Sequence, residues 1–374
     1  MDAVEISTTH VPFADLHAQY LTIKPEIDAA IASVISQSAF IRGPFVEKFE
    51  HEFAEAIGVP HCVSCANGTD ALYIAMVALG LKPGDEVIVP AMSWISTSET
   101  VTQTGAKIVF CDVDPSTYTI DVTKLADKIT HRTVGIIPVH LYGQPADMDG
   151  VMAVAAKYGL WVIEDCAQAH LATFKGRQVG TFGIAASFSF YPGKNLGAMG
   201  DAGAIVTSDK SLADRMAMFA RHGGLVKGDH QIEGINSRLD GLQAAVLSVK
   251  LKRLASWTDA RRSIAAQYQH KLADLPGFDL PHIGNDRDPV WHLYVISHDR
   301  RDELAVFLKS RGIQTVINYP RGLPFLPCYA HLGGKPEDYP IVHRMQSRIL
   351  SLPIFPEMTE DQIEAVVDAL KAFA

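Results

Sequence analysis

The sequence predicts an α/β fold, with a large, mostly parallel seven-stranded sheet sandwiched by helices and a smaller C-terminal α/β domain. Three observations carry this. Across residues 58–208, short apolar segments alternate with amphipathic ones, the pattern of strands and crossover helices around a parallel sheet. A long helical stretch follows, with apolar residues at helical spacing. Strand and helix patterns then resume on a smaller scale and end in an amphipathic helix.

The elements read in order. HCVSCA is a strand running into the helix DALYIAMVALGL, which K-P-G-D stops. EVIVPA, KIVFCDV, TVGIIPVHL and LWVIEDCA are strands, and STSETVTQTG, VTKLADKI and MDGVMAVAAKYG are the helices between them. AASFSFY and AGAIVTS are two more apolar strands, joined as a hairpin around Lys194. The stretch SRLDGLQAAVLSVKLKRLASWTDARRSIAAQYQHKLADL reads as helix, bent around Ser256-Trp257 and ended by Pro276-Gly277. VWHLYVIS and IQTVINYP are then strands flanking the helix RDELAVFLKSRG, a Pro-rich loop follows, and TEDQIEAVVDALKAF closes the chain as helix. The division is a large domain over residues 1–250, N-terminal segment included, and a small one over 251–374.

Bulk properties narrow the function. The chain has 374 residues, 48% of them hydrophobic, enough for one large core and a second smaller one. A net charge of −9 argues against nucleic-acid binding, which needs a basic face. The first residues show no signal peptide, and the longest apolar stretch, residues 71–81, is too short for a bilayer. A cytoplasmic location without membrane contact is expected. Five cysteines point to reduced thiols. Cys62 and Cys65 form a C-x-x-C with no second pair at zinc spacing, so they read as buried structural thiols and no metal is expected.

Three features sit at strand ends, where sites gather in such folds. In CANGTDAL, Gly68 permits close backbone approach, the helix N-terminus offers free N–H groups and Thr69 adds a hydroxyl, which together suit a phosphate. The alternative is ordinary capping by Asn67 or Thr69. In WVIEDCAQAH, an apolar strand ends in Glu164 and Asp165. A carboxylate there is costly without a cation or strong donor, such as a protonated heterocycle nitrogen, and Gln168 could bond the same ligand. Helix capping by Asp165 is the alternative. In FSFYPGKNLGAMGDAGAIV, Lys194 stands between apolar strands, Ser189 could add a phosphate contact, and Gly193, Gly197 and Gly200 keep the backbone clear for a planar ligand. The alternative is a surface hairpin whose tip carries a lysine.

A phosphate cradle, a strand-end aspartate and a later loop lysine together describe a pyridoxal phosphate site. The lysine forms a Schiff base with the aldehyde, and the aspartate keeps the pyridine nitrogen protonated so that the ring acts as an electron sink. Burial lowers a lysine's pKa and makes it usable as nucleophile and proton carrier.

The motifs NGTDAL, VIVPAMSWISTSE, PVHLYGQPADMD, IEDCAQAH, SFSFYPGKNLGAMGD, INSRLDGLQAAVL and INYP run nearly the length of the chain. With them the sequence resembles the DegT/DnrJ/StrS-type aminotransferases that act on keto sugars, members of the aspartate aminotransferase fold (fold type I). The resemblance implies that Lys194 carries the cofactor, that Asp165 pairs with the pyridinium, and that Gln168 contacts the ring hydroxyl. It further implies that Gly68, Thr69 and Ser189 hold the phosphate and that Trp94 stacks on the ring. Asn236 would reach the phosphate of the neighbouring subunit's cofactor, which makes a homodimer part of the site. Arg238 and Tyr319 are implied as substrate contacts.

The implied reaction has two stages. L-Glutamate leaves its nitrogen as pyridoxamine phosphate, which then aminates the 3- or 4-position of a nucleotide-linked keto sugar. Alternatives are a non-nucleotide keto sugar or cyclitol as acceptor, a dehydratase of the same fold (in which histidine replaces the lysine), and a non-catalytic regulator. The sequence departs from the family pattern at His170-Leu171, where His-Gly is common, and at Asp201-Ala202-Gly203, where Asp-Gly-Gly is common. Arg321-Gly322-Leu323-Pro324 also replaces a common Pro-Leu-His.

Overall fold

The computed structural model describes residues 10–374, so the signal-peptide reading of the first nine residues lies outside the described part. Seven strands form the large sheet: His61–Cys65 (β1), Glu86–Pro90 (β2), Lys107–Cys111 (β3), Thr133–Ile136 (β4), Trp161–Asp165 (β5), Ala185–Ser189 (β8) and Gly203–Thr207 (β9). Their order is β1-β9-β8-β5-β4-β2-β3. β2, β3, β4, β5 and β8 pair in parallel, whereas β9 is antiparallel to both its neighbours. The mostly parallel seven-stranded sheet is as expected. β2 and β9 are buried at every residue, which is why their centres, Val87 to Val89 and Ala204 to Val206, read as apolar runs.

Helices cover both faces. Val87 and Val89 pack with Gly68–Ala78 (α4), Ser96–Gln103 (α5) and Lys210–Ala220 (α7), while Ile88 between them packs with Met148–Tyr158 (α6). This alternation is the strand's two-residue period. Ala204 and Val206 join the core of Pro44–Ile57 (α3) and Gly241–Leu251 (α8), and Ile205 the opposite one. Leu16–Thr22 (α1) and Lys24–Ser36 (α2) precede α3. None of these first three helices is anticipated above, although α3 carries plain end signals: Pro44 in its first turn and Gly58 as a left-handed C-cap at φ 82°.

The second sheet is Phe278–Asp279 (β10), Tyr294–His298 (β12) and Ile349–Leu352 (β13), antiparallel, in the order β10-β12-β13. It shares a core with Leu254–Leu272 (α9), Arg301–Ser310 (α10) and Glu360–Phe373 (α12). Thr173–Phe174 (β6), Arg177–Gln178 (β7) and Arg287–Asp288 (β11) make a short ribbon. No described helix is long and apolar enough to cross a membrane.

Three sequence expectations need correction. VTKLADKI is two 3₁₀ turns, Val122–Lys124 and Ala126–Lys128, because Asp121 closes a tight turn on Thr123 N–H and only Leu125 of the segment is fully buried. IQTVINYP is no strand: Ile313 and Val316 make isolated bridges to Val11 and Ser351. The strand that pairs with β12 is β13, which the Pro-rich surroundings conceal. The long helix breaks between Leu251 and Leu254, before Ser256-Trp257.

A buried acid helps tie the segment after residue 320 to the large sheet. Asp112, 1% exposed, accepts from the N–H groups of Ile341 (3.0 Å) and Val342 (3.1 Å) at the start of Pro340–Met345 (α11), and pairs with Lys124 at 3.3 Å. Asp112→Ala leaves those donors without an acceptor and is expected to cost about 2–4 kcal/mol. Urea denaturation checks this, and a loss below about 0.5 kcal/mol would show that the contact is dispensable.

Candidate active site at the strand ends

At the end of β1, Asn67 caps α4: its Oδ1 accepts the Asp70 N–H at 2.8 Å. The capping alternative therefore holds for Asn67. It does not hold for Thr69, whose hydroxyl lies 2.7 Å from Ser96 Oγ on α5. The amides of Gly68 and Thr69 sit in the first turn, where helix geometry supplies no acceptor. A Cβ at Gly68 would fall 2.6 Å from the Cβ of Ser189 at the end of β8, so this backbone passes Ser189 with no room for a side chain. Ser237 ties the N-S-R-L-D segment to the same place. Its Oγ donates to Asp70 at 2.6 Å and accepts the Ala66 N–H at 3.0 Å. Asn236 beside it is exposed and Arg238 half-buried. Among the described residues, neither makes a side-chain hydrogen bond within its own chain.

The two acids of β5 point to opposite faces and do different work. Glu164 is wholly buried and accepts from the N–H groups of Gly180 (2.8 Å), Phe182 (2.7 Å) and Gly183 (2.8 Å). Its fourth partner is His140 Nε2 at 3.1 Å. His140 Nδ1 accepts the Ala146 N–H at 3.0 Å, so Nε2 carries the proton and donates. Glu164 thus organises a turn. His140, Glu164 and Cys166 bring ligand atoms within 4.8 Å of one another, but the imidazole and carboxylate lone pairs are engaged and burial pushes the thiol up. The cluster is no metal site.

Asp165 Oδ2 accepts the Thr97 hydroxyl at 2.9 Å and Oδ1 the Ala167 N–H at 3.2 Å. No helix follows it, so it is not a helix cap. Burial raises its pKa, against the pull of those two donors and of the Lys194 cation.

Lys194 is half-buried in the loop between β8 and β9 rather than at a solvent tip. Burial lowers its pKa to about 8, with the Asp165 charge opposing. Gln168 Oε1 accepts the Tyr142 N–H at 2.6 Å, and its Nε2 donates to the Tyr319 hydroxyl at 2.9 Å. Burial raises the Tyr319 phenol, which keeps its proton. Trp94 is 57% exposed, with its ring 5.5 Å from that of Tyr319 at 45°. It is therefore no core tryptophan but an apolar plate at the end of β2. Trp94, Thr97, Asp165, Gln168, Lys194 and Tyr319 form one cluster, and Gly68, Thr69, Ser96 and Ser189 another at the ends of β1 and β8.

Two departures from the family pattern have local consequences. Leu171 has φ 69°, a left-handed conformation that favours glycine. Leu323 N–H donates to Ala91 O at 2.8 Å, which seats the Arg321 segment on the end of β2 with Arg321 exposed. His170 lies buried among Phe53, Phe188 and Phe190, its pKa pushed down to about 3 by burial and the Lys194 charge, so it stays neutral. Sequence reasoning missed Ser96, Thr97 and Tyr142. The polar run S-T-S-E, which follows Trp94 after Ile95, is the one signal that pointed to the first two.

This arrangement supplies an amine lowered to about 8, a buried carboxylate beside it, an aromatic plate and a cradle of backbone donors. The profile of the DegT/DnrJ/EryC1/StrS aminotransferase family matches residues 21–371. The chain is 44% identical to the dTDP-3-amino-3,4,6-trideoxy-alpha-D-glucose transaminase of Streptomyces venezuelae, over 98% of this chain and 97% of that one. It is 43% identical to the erythromycin biosynthesis sensory transduction protein EryC1 of Saccharopolyspora erythraea, over 97% of this chain and all of that one. The crystal structure of S. venezuelae DesV in complex with a ketimine intermediate matches with a TM-score of 0.96 and 44% identity, covering 97% of this chain and 98% of that one. The fold, the strand-end cluster and these likenesses agree: the chain is an aminotransferase and belongs to the DegT/DnrJ/EryC1/StrS aminotransferase family.

Proposed function

We propose that this aminotransferase uses pyridoxal phosphate held by Lys194 to move an amino group from L-glutamate to the keto carbon of a nucleotide-linked deoxysugar. The observation that carries the reading is Lys194, an amine lowered to about 8 beside the buried Asp165. The residues fit the cofactor. The Gly68–Ser189 approach, which a Cβ would fill, leaves backbone donors and a hydroxyl for a phosphate. The name of the S. venezuelae transaminase favours the 3-position and a nucleotide-linked acceptor.

When bound, pyridoxal phosphate supplies an aldehyde that takes up the amino group and a ring that withdraws electrons from the carbon losing its proton. The chain's own groups then have definite tasks. Asp165, fixed by Thr97 and the Ala167 N–H, places its negative charge where the ring nitrogen stays protonated. Gln168 Nε2 has a second hydrogen, beyond the one given to Tyr319, for the ring hydroxyl. Trp94, the exposed aromatic plate, would cover one face of the ring. Lys194 Nζ, once free, would carry protons between substrate carbon and cofactor, from the donor carbon to the cofactor in the first stage and from the cofactor to the sugar carbon in the second. Tyr319 and Arg238 are proposed to meet the substrate, and Asn236, exposed and unbonded, to reach the phosphate site of a second subunit in a cytoplasmic homodimer. We place the domain boundary after residue 250.

The name of the EryC1 relative favours a second reading, a regulator without turnover. Absorption spectroscopy separates the two: the purified protein is expected to show a visible cofactor band that L-glutamate discharges. Lys194→Ala is expected to abolish both the band's bound form and the transfer, and a variant that keeps full turnover would sink the mechanism. Asp165→Asn is expected to slow the glutamate half-reaction by about 100-fold or more while the phosphate still binds. Stopped-flow rates near wild type would show that the ring nitrogen needs no charged partner.

Capture of the cofactor by the apoprotein requires the neutral amine, and a lysine lowered to about 8 is mostly neutral above that pH. The capture rate is expected to rise about tenfold from pH 7 and to level off above pH ~8–9. A rate still climbing steeply at pH 10 would mean that the Lys194 amine is an ordinary one.

A further inference from the structure

Behind the Lys194 loop, one face of α8 reaches it twice. Lys250 is only 5% exposed, and its Nζ donates to the Gly197 carbonyl at 2.8 Å. Seven residues earlier on that face, Gln243 Oε1 accepts the Met199 N–H at 2.8 Å. The loop is tightly closed at these points. A Cβ at Gly197 would lie 2.2 Å from the Pro192 carbonyl oxygen, and one at Gly200 would lie 2.9 Å from Gln243 Nε2. Lys194 belongs to the same closed turn, its N–H bonded to Tyr191 O at 2.8 Å.

A buried ammonium is an expensive way to hold one carbonyl, since an apolar side chain of equal length carries no desolvation cost. Burial lowers Lys250 to about 8, and the Glu357 carboxylate works against that shift. Glu357 also favours the charged form of Arg261. Arg261 Nη1 in turn donates to the carbonyls of Trp291 (3.2 Å) and Ile354 (2.7 Å). That segment grips the residue after Lys194: Asn195 Nδ2 donates to Val290 O at 2.9 Å. One acid therefore supports two cations, one bonded to Gly197 of the loop and the other to the segment that receives Asn195.

We propose that Lys250 and Gln243 are positioning residues, by which α8 braces the loop from behind and keeps the Lys194 amine in its partly dehydrated place beside Asp165. Neither touches substrate or cofactor.

The test starts with the full-length apoprotein. Lys194 is acylated with N-hydroxysuccinimidyl acetate across a pH series, and its labelling is read by peptide mass spectrometry. The wild-type midpoint is expected at about 8. Lys250→Met and Gln243→Leu are expected to raise it by about one unit, toward the ordinary lysine value of ~10.4, leaving roughly a tenth of the neutral amine at pH 7. Lys250→Arg, which keeps a charged donor, is expected to bring it back toward wild type.

In the holoprotein, Lys250→Met and Gln243→Leu are expected to slow the glutamate half-reaction about tenfold with little change in half-saturating glutamate. This arm rests on the function proposed above, whereas the apoprotein titration does not. If Lys250→Met fails to fold, Gln243→Leu decides alone, because it removes only a half-buried neutral contact. Variants with a lower melting temperature and an unmoved Lys194 midpoint would overturn the brace. A wild-type midpoint near 8 with no glutamate half-reaction counts against the function and leaves the brace standing.

Discussion

The site depends on one electrostatic constraint: an amine and a carboxylate, Lys194 and Asp165, each shifted by burial and each acting on the other's charge. Burial disfavours both charged forms, so it lowers the lysine and raises the aspartate, and each charge partly offsets the shift of the other. More water would return Lys194 to an ordinary protonated surface amine. Less support would leave Asp165 an unpaired buried charge, which is why a hydroxyl and an amide bond it on either side.

Much of the surrounding structure serves to maintain that balance. Glu164, the neighbour of Asp165 in sequence, faces the other way and ties residues 180–183 to β5 through three amides and His140. This fixes the end of β5 from its far side. His170 is kept neutral among phenylalanines, so it adds no positive charge near Lys194. The backbone crossing at Gly68 and Ser189 sets the spacing between the α4 N-terminus and the strand that leads to Lys194.

The sheet was largely legible in the sequence because a strand buried on both faces is apolar along its centre, as Val87 to Val89 of β2 and Ala204 to Val206 of β9 are. The C-terminal part was less so. β13 is four residues long, among prolines, and is defined by its pairing with β12 across more than fifty residues. No local periodicity reports such a partner. VTKLADKI has helical spacing, yet with one fully buried residue it gains too little from packing to close a helix.

The sequence by itself determined the fold class and the chemical cast. A lysine among glycines between buried strands, an acid ending an apolar strand and a glycine opening a helix are local patterns, and local patterns survive without coordinates. Tertiary structure alone decided which groups act together: Thr97 with Asp165, Gln168 with Tyr319, Lys250 with Gly197. These partners lie 53 to 151 residues apart in the chain. It also decided that Glu164 and Asp165, adjacent in the chain, face opposite ways. The physical reason is that hydrogen bonding and desolvation depend on distance and burial in space, whereas spacing in the chain records only the elements that bring residues there.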